Sequence, residues 1–377
     1  MHASKEMHDF VVKRILSQID SHLDYNSLSR NPALSSRYVK ENIDKPWDFE
    51  SLSANPILEW DVVRDNPNKP WCWSFLSQNP SMTWDIVDKN PEKPWVWYNL
   101  SRNANITWDI VVNNPNKPWV WYSLCFNPNI TVDILRRHPE KPWNWHALSY
   151  NKNMTCDFIQ ENLDKVWSWN CGLSYNPYIT WDFIKNHLHK CWDWYELSRH
   201  PNITWDVIMK NPQMPWEWSA ISQNPNIKWE MIQTHLHNPW SWHLLSKHAN
   251  ITWKCIMNNL DKPWNKQNLF MNPNMTWDIA KVNIMTSIEM CVYSSNPNVT
   301  WDIVKNNPHE SWNLSNILRN PSFLTSQWEA ERYSKRHIAA FKIQKQFRKS
   351  IADPSYVLCK KRLLREFSCD VEYWNSI

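Results

Sequence analysis

Lys93-Pro94-Trp95-Val96-Trp97-Tyr98-Asn99-Leu100-Ser101-Arg102-Asn103-Ala104-Asn105-Ile106-Thr107-Trp108-Asp109-Ile110-Val111-Val112-Asn113-Asn114-Pro115-Asn116 is one period of a repeat that runs through most of the chain. Proline ahead of Trp95 suits the first turn of a helix, where its missing N–H costs nothing. Trp97, Leu100 and Ser101 then fall at i, i+3 and i+4, on one helical face. This helix must be short. Most copies read Asn-Pro at the Asn103-Ala104 position, and a residue before proline avoids helical geometry. Thr107 stands where an N-cap belongs, and Asp109 is well placed near a helix N-terminus. Ile110 and Val111 are expected to face inward, and Asn114-Pro115 closes the second helix. The apolar residues do not alternate with period two, so strands do not fit.

The period holds along the chain. Tryptophan recurs at 47, 71, 95, 119, 143, 167, 192, 216, 240, 264 and 312, with Ile288 in the column between the last two. A second column runs from Leu28 to Ile317 in thirteen copies. The only slip is one extra residue between Trp169 and Leu173. It contains the chain's sole glycine, Gly172, which an inserted bulge with φ > 0 would favour. Two short helices cannot bury their apolar faces alone, whereas stacked copies can. The fold class is therefore all-α: a solenoid of about thirteen 24-residue two-helix repeats. At about 9 Å per layer it would make a rod or arc on the order of 110 Å long. The tryptophan columns become packing ladders, with Trp97 and its equivalents buried beside the leucine three residues on. Residues 28–325 form the array. Residues 1–27, with Phe10, Ile15, Ile19 and Leu23, read as an N-terminal helical cap, and 326–377 as a basic C-terminal helical tail.

Composition narrows function. One glycine in 377 residues cannot write a phosphate-binding loop, a dinucleotide fingerprint or a nucleophile elbow. The chain holds 30 Trp and 25 Pro, and its net charge is only +4. No stretch approaches 18 consecutive apolar residues, so no membrane span is expected. The first 20 residues lack the apolar core of a secretion signal. Nine scattered cysteines with no CxxC read as reduced thiols. Together these point to an intracellular protein. The pairs His187-x-His189 and His235-x-His237 suggest metal ligands, but His187 and His235 replace the Asn of an Asn-Pro turn two repeats apart. Stacking would separate them by roughly 18 Å, far beyond a zinc–nitrogen bond. Polar turn residues are the better reading. The acidic column, nine aspartates and Glu230, is helix capping copied ten times, whereas an active site is a local break in a repeat. No catalytic residues, metal or cofactor are expected. The breaks themselves are the inserted Gly172 turn, the His-x-His turns and the degenerate stretch 284–293, read as a softer joint.

The tail differs. From Glu331 to Glu366 eleven Lys/Arg face three acids. Ala340, Ile343, Phe347 and Ile351 share one helical face, and Lys342, Lys345 and Lys349 another. The candidate partner-binding residues are Lys342, Ile343, Gln344, Lys345, Phe347, Arg348, Lys349, Lys360, Lys361 and Arg362. A basic amphipathic helix suits an acidic protein, a calmodulin-like partner, nucleic acid or an anionic surface. Its apolar face would alternatively cap the open end of the array. Ile343-Gln344 with Arg348 resembles the first half of a calmodulin-binding IQ motif; Asp353 stands at the later basic position.

The unit Leu-Ser-x-Asn-Pro-Asn-Ile-Thr-Trp-Asp resembles the leucine-rich repeat variant family, whose 24-residue units pair two short helices into a right-handed superhelix. The fuller pattern, with Lys-Pro-Trp-x-Trp, is similar to tryptophan-rich repeat proteins of giant DNA viruses of amoebae over roughly residues 28–325. That resemblance implies a viral product without assigned chemistry. The expected function is a non-enzymatic scaffold presenting an extended surface to protein partners; the alternative is nucleic-acid or anionic-surface binding through the tail.

Overall fold

The computed structural model describes residues 2–19, 23–284, 286–326 and 330, and these are all-helical with no strand. The chain divides into two compact units. One, His22–Leu324, holds every repeat. The other contains the helix His2–Ser17, which buries Val11, Val12, Ile15 and Leu16. The face expected there from Phe10, Ile19 and Leu23 is displaced: the helix ends before Ile19, and Leu23 stands in the first-tryptophan column of the array.

Each repeat carries two helices of about one turn. The first helix begins at the second tryptophan, as in Trp97–Leu100 and Trp121–Leu124. This shifts the expected start by two residues. Lys-Pro-Trp is not a helical turn. The Trp95 N–H donates to the Lys93 carbonyl at 2.8 Å, closing a three-residue turn that suits the fixed φ of Pro94. The indole Nε1 of Trp95 then donates to the Asn90 carbonyl at 2.9 Å. All eleven tryptophans of this column make that bond to the residue five before them. The first tryptophan is thus the buried one (Trp95 is 8 % exposed), while Trp97 is only half-buried. The expectation for Trp97 is corrected accordingly. It does pack forward: its ring meets the next repeat's Trp119 edge-on at 5.1 Å, and Trp73–Trp95 and Trp121–Trp143 repeat the geometry.

Second helices start as expected. Thr107, Thr155, Thr180, Thr204 and Thr252 accept from the N–H three residues on. Thr83 and Thr131 occupy the same position without that bond. The leucine column is buried throughout, from Leu28 to Ile317. Ile110 is half-buried and Val111 buried, so one of the expected pair carries the core contact.

Asparagine does more than stop the first helix. The Asn79 side-chain amide donates to the carbonyls of Ser53 and Asn55 in the preceding repeat, both at 2.9 Å. Its oxygen accepts the Ser81 N–H. An asparagine rung recurs in eleven of the thirteen repeats, and a serine column supports it. Ser77 donates to Trp73 within its helix and accepts the Val96 N–H from the next repeat. Buried carbonyls therefore find partners across each junction.

The ladder has no end. Asn31, in the first repeat, donates to the carbonyls of Leu318 at 2.8 Å and Asn320 at 3.0 Å, in the last. This is the rung Asn55 makes to Ser29 and Asn31, carried across the array's two ends. The Ser315 hydroxyl adds a bond to the Asp24 carboxylate at 2.9 Å. Repeat 13 stacks on repeat 1, and the array is a closed ring rather than a rod. The open ends that the two chain termini were expected to cap do not exist in the array. At about 9 Å per repeat the ring is about 37 Å across between helix axes. Neighbouring repeats touch chiefly first helix to first helix. Short side chains suffice there, as in Asn99 to Ser74, whereas second helices are bridged by long ones such as Lys40–Asp61 and Arg136–Glu161. The first helices therefore line the shorter, inner circumference.

The extra residue at repeat 7 is absorbed by bonds that skip one residue more than an α-helix does: Leu173 to Ser168 and Ser174 to Trp169. Gly172 has φ −107°, so the expected positive φ is wrong. The reason for glycine is space: a Cβ there would overlap the Ser149 Cβ. The degenerate stretch forms the helix Ser287–Tyr293, opened by a Thr286–Glu289 capping box, and Tyr293 fills the leucine site.

Candidate functional site

The histidines resolve into structural copies of asparagine. His187 Nδ1 lies 2.8 Å from the Phe183 carbonyl, the place the Asn90 amide takes on Ile86 in its own turn. Its carbonyl accepts the Trp192 indole. His235 does the same with Met231 and Trp240. Both are the turn residues the sequence indicated. Among the described residues no three His, Cys, Asp or Glu side chains come together as metal ligands.

Two further histidines escaped the sequence reading. His200 and His248 stand in the inner asparagine ladder. His200 Nε2 lies 3.1 Å from the Asn176 carbonyl, and Nδ1 accepts the Asn202 N–H at 3.1 Å. His248 bridges Asn224 and Asn250 identically. The pattern requires the neutral ring, with its proton on Nε2. Burial, only partly offset by the backbone bond, holds both imidazoles below the ordinary histidine range. The clue was available: these residues replace Asn at the Asn-Pro-Asn position, and a neutral imidazole carries the same donor and acceptor as an amide.

Cys125 occupies a serine position of the ladder, and burial pushes its thiol up to about 11. All seven cysteines among the described residues are free. Thus the ladder asparagines and serines, with their histidine and cysteine replacements, are engaged at the junctions. What remains variable is the exposed face of the first helices, at two residues either side of each buried leucine.

Repeats 4 to 6 carry on that face a continuous strip of π systems. Arg102 lies 5.8 Å from the Tyr98 ring and 4.3 Å from the Phe126 ring of the next repeat. Phe126 meets Tyr122 at 5.3 Å and Tyr150 of repeat 6 at 5.8 Å, and His146 meets Tyr150 at 5.8 Å. Tyr98, Tyr122 and Tyr150 are each about two-fifths exposed. The strip extends to exposed Tyr175 and Tyr195. The tail residues singled out from the sequence, Lys342 to Lys349 and Lys360 to Arg362, lie outside the described residues.

The fold defines a class: a closed αα-repeat ring held by side-chain ladders. No protein-family model, curated protein or solved structure matches the chain. No helix among the described residues is long and apolar enough to cross a membrane.

Proposed function

We propose that this chain is a non-catalytic ring scaffold that presents its inner first-helix wall to macromolecular partners. The repeat pattern's likeness to tryptophan-rich proteins of giant DNA viruses makes a viral setting part of the same proposal. One observation carries it. The ladder asparagines and serines, with the histidines and cysteine that replace them, are occupied by bonds between repeats, and the variable side chains beside them on the first helices are left exposed for recognition. Aromatic side chains on rigid, packed elements give contact area at little entropic cost.

The test compares full-length protein with two variants, one with Tyr98, Tyr122 and Tyr150 changed to Ser, one with second-helix Asp85, Asp109 and Asp133 changed to Asn. Partners retained from host extract are quantified by cross-linking and mass spectrometry. The reading requires partners lost with the first variant and kept with the second. Equal recovery by both, or chemical turnover of a recovered partner, overturns it.

A further inference from the structure

We propose that the two ends of the chain pair with each other to form a clasp that holds the ring shut across its seam. Such a clasp is independent of what the inner wall binds.

One face of the N-terminal helix is covered. In His2–Ser17, Val12, Ile15 and Leu16 are fully buried and Val11 nearly so. These four positions, i, i+1, i+4 and i+5, form one apolar stripe, and a lone helix cannot bury its own stripe. A second layer must lie on it. The compact unit that holds this helix has one other constituent, the chain from Thr325 to Ile377. Of that stretch only Thr325, Ser326 and Ala330 are among the described residues, and their side chains are too small to cover four aliphatic ones. The cover therefore comes from further along the tail. Its sequence offers a matching stripe in Ala340, Ile343, Phe347 and Ile351, spaced by three or four residues.

The chain enters and leaves the ring at the seam. His22 leads into repeat 1 and Leu324 ends the ring unit in repeat 13, the two repeats joined by the Asn31 rung. From Ser17, the last residue of the helix, to Asp24, the cap of the first ring helix, the chain can reach at most about 25 Å when fully extended. On the other side Thr325 already belongs to the terminal unit. Leads this short leave little slack. Pairing of the two ends keeps repeats 1 and 13 at high effective concentration, so an opened seam recloses instead of splaying. The seam is also the joint in need of such support. No peptide bond crosses it, and it carries Leu23 and Leu314 where most other joints have tryptophans.

Two measurements on the full-length protein test the clasp. The first identifies what covers the helix. p-Benzoylphenylalanine placed at half-buried Phe10, a conservative change, is photoactivated, and the products are mapped by mass spectrometry. Cross-links should fall within residues 331–377 of the same molecule. Cross-links to residues 22–324 or to a second copy overturn the proposal, whatever the substituted variants below do. The second measurement is hydrogen–deuterium exchange. Ile15→Asp with Leu16→Asp should speed exchange about tenfold or more in residues 25–31 and 314–320, while residues 97–103 and 121–127, at an interior joint, keep their protection. Ile343→Asp with Phe347→Asp should do the same. All four substitutions together should add nothing further, because each pair removes the same contact. In an Asn31→Ala background, loss of the clasp should enlarge the radius of gyration beyond that of Asn31→Ala alone. Seam protection unchanged by either pair, effects of the two pairs that add, or equal loss of protection at the interior joint overturns the proposal.

Discussion

The junction between repeats 4 and 5 and the one between repeats 13 and 1 do the same job with different means. The first has the asparagine rung from Asn127, the serine bond from Val120 to Ser101, and the edge-on Trp97–Trp119 pair, all along a continuous chain. The second has the Asn31 rung and the Asp24–Ser315 bond. Leu318 replaces the serine, Leu23 the buried tryptophan and Leu314 its forward partner. The tryptophans that dominate the composition are therefore absent at the one joint no peptide bond supports. The asparagine ladder, the quieter signal, sets the register at which the ring closes.

The sharpest way to break this picture is a register error. Deleting 12 residues, 95–106, would put second helices where first helices belong and remove a rung; we expect no cooperative thermal transition. Deleting a whole repeat, 95–118, keeps every rung in register, so circular dichroism should show a folded protein with a lower Tm. Equal damage from both deletions would mean that the 24-residue unit does not govern stability.

Next comes the tryptophan pair. Trp95→Ala removes a buried ring and its indole bond and should cost about 3–5 kcal/mol in chemical denaturation. Trp97→Ala, at a half-buried site, should cost distinctly less. The reverse order would restore the sequence expectation that Trp97 is the core residue.

The rungs themselves separate the two junctions. Asn79→Ala leaves buried carbonyls unpaired within a covalently continuous stack, and about 1–3 kcal/mol should be lost with the ring still closed. Asn31→Ala loses a similar amount at the seam, where the packing of Tyr25–Ser29 on Leu314–Arg319 and the Asp24–Ser315 bond must hold without a peptide link, so small-angle scattering should show an enlarged radius of gyration if the rung is needed for closure. An unchanged radius would show that first-helix packing alone keeps the ring shut.

The smallest effect is pH-dependent and confined to interior junctions. His200 and His248 bind protons less readily folded than unfolded, because burial disfavours the charged ring. Their contribution is present above the ordinary histidine pKa of about 6.5 and is lost as pH falls below it. Changing both to Asn should reduce the loss of Tm between pH 7 and 5, while Asn31→Ala should not alter the slope. A slope unaffected by the double change would mean that these rings do not titrate in that range.

Much of this was legible in the sequence: the period, the leucine column, the threonine caps and the role of His187 and His235. Which tryptophan is buried is not legible, because proline before Trp95 fits a helix start and its fixed dihedral equally closes a three-residue turn. The ladder was visible as an asparagine column but was credited to proline, since a stop signal explained it locally. Closure was not legible at all. It depends on small differences in spacing between inner and outer helices, summed over thirteen repeats, and no single residue encodes that sum. The strip was hidden for another reason: Tyr98, Arg102 and Phe126 are non-repeating residues, and attention to what recurs passes over what varies.

Closure also constrains copy number. An open array gains or loses units freely, because each new repeat only extends an end. Here the wedge angles of all the repeats must total one full turn, about 28° each, and a fourteenth unit would require each of the others to yield by about 2°. Thirteen is prime, so no run of two to twelve repeats reproduces this circumference by assembling with copies of itself. A change of copy number, the ordinary route by which repeat proteins diversify, therefore strains every junction of this architecture at once or opens the ring, instead of touching one end alone.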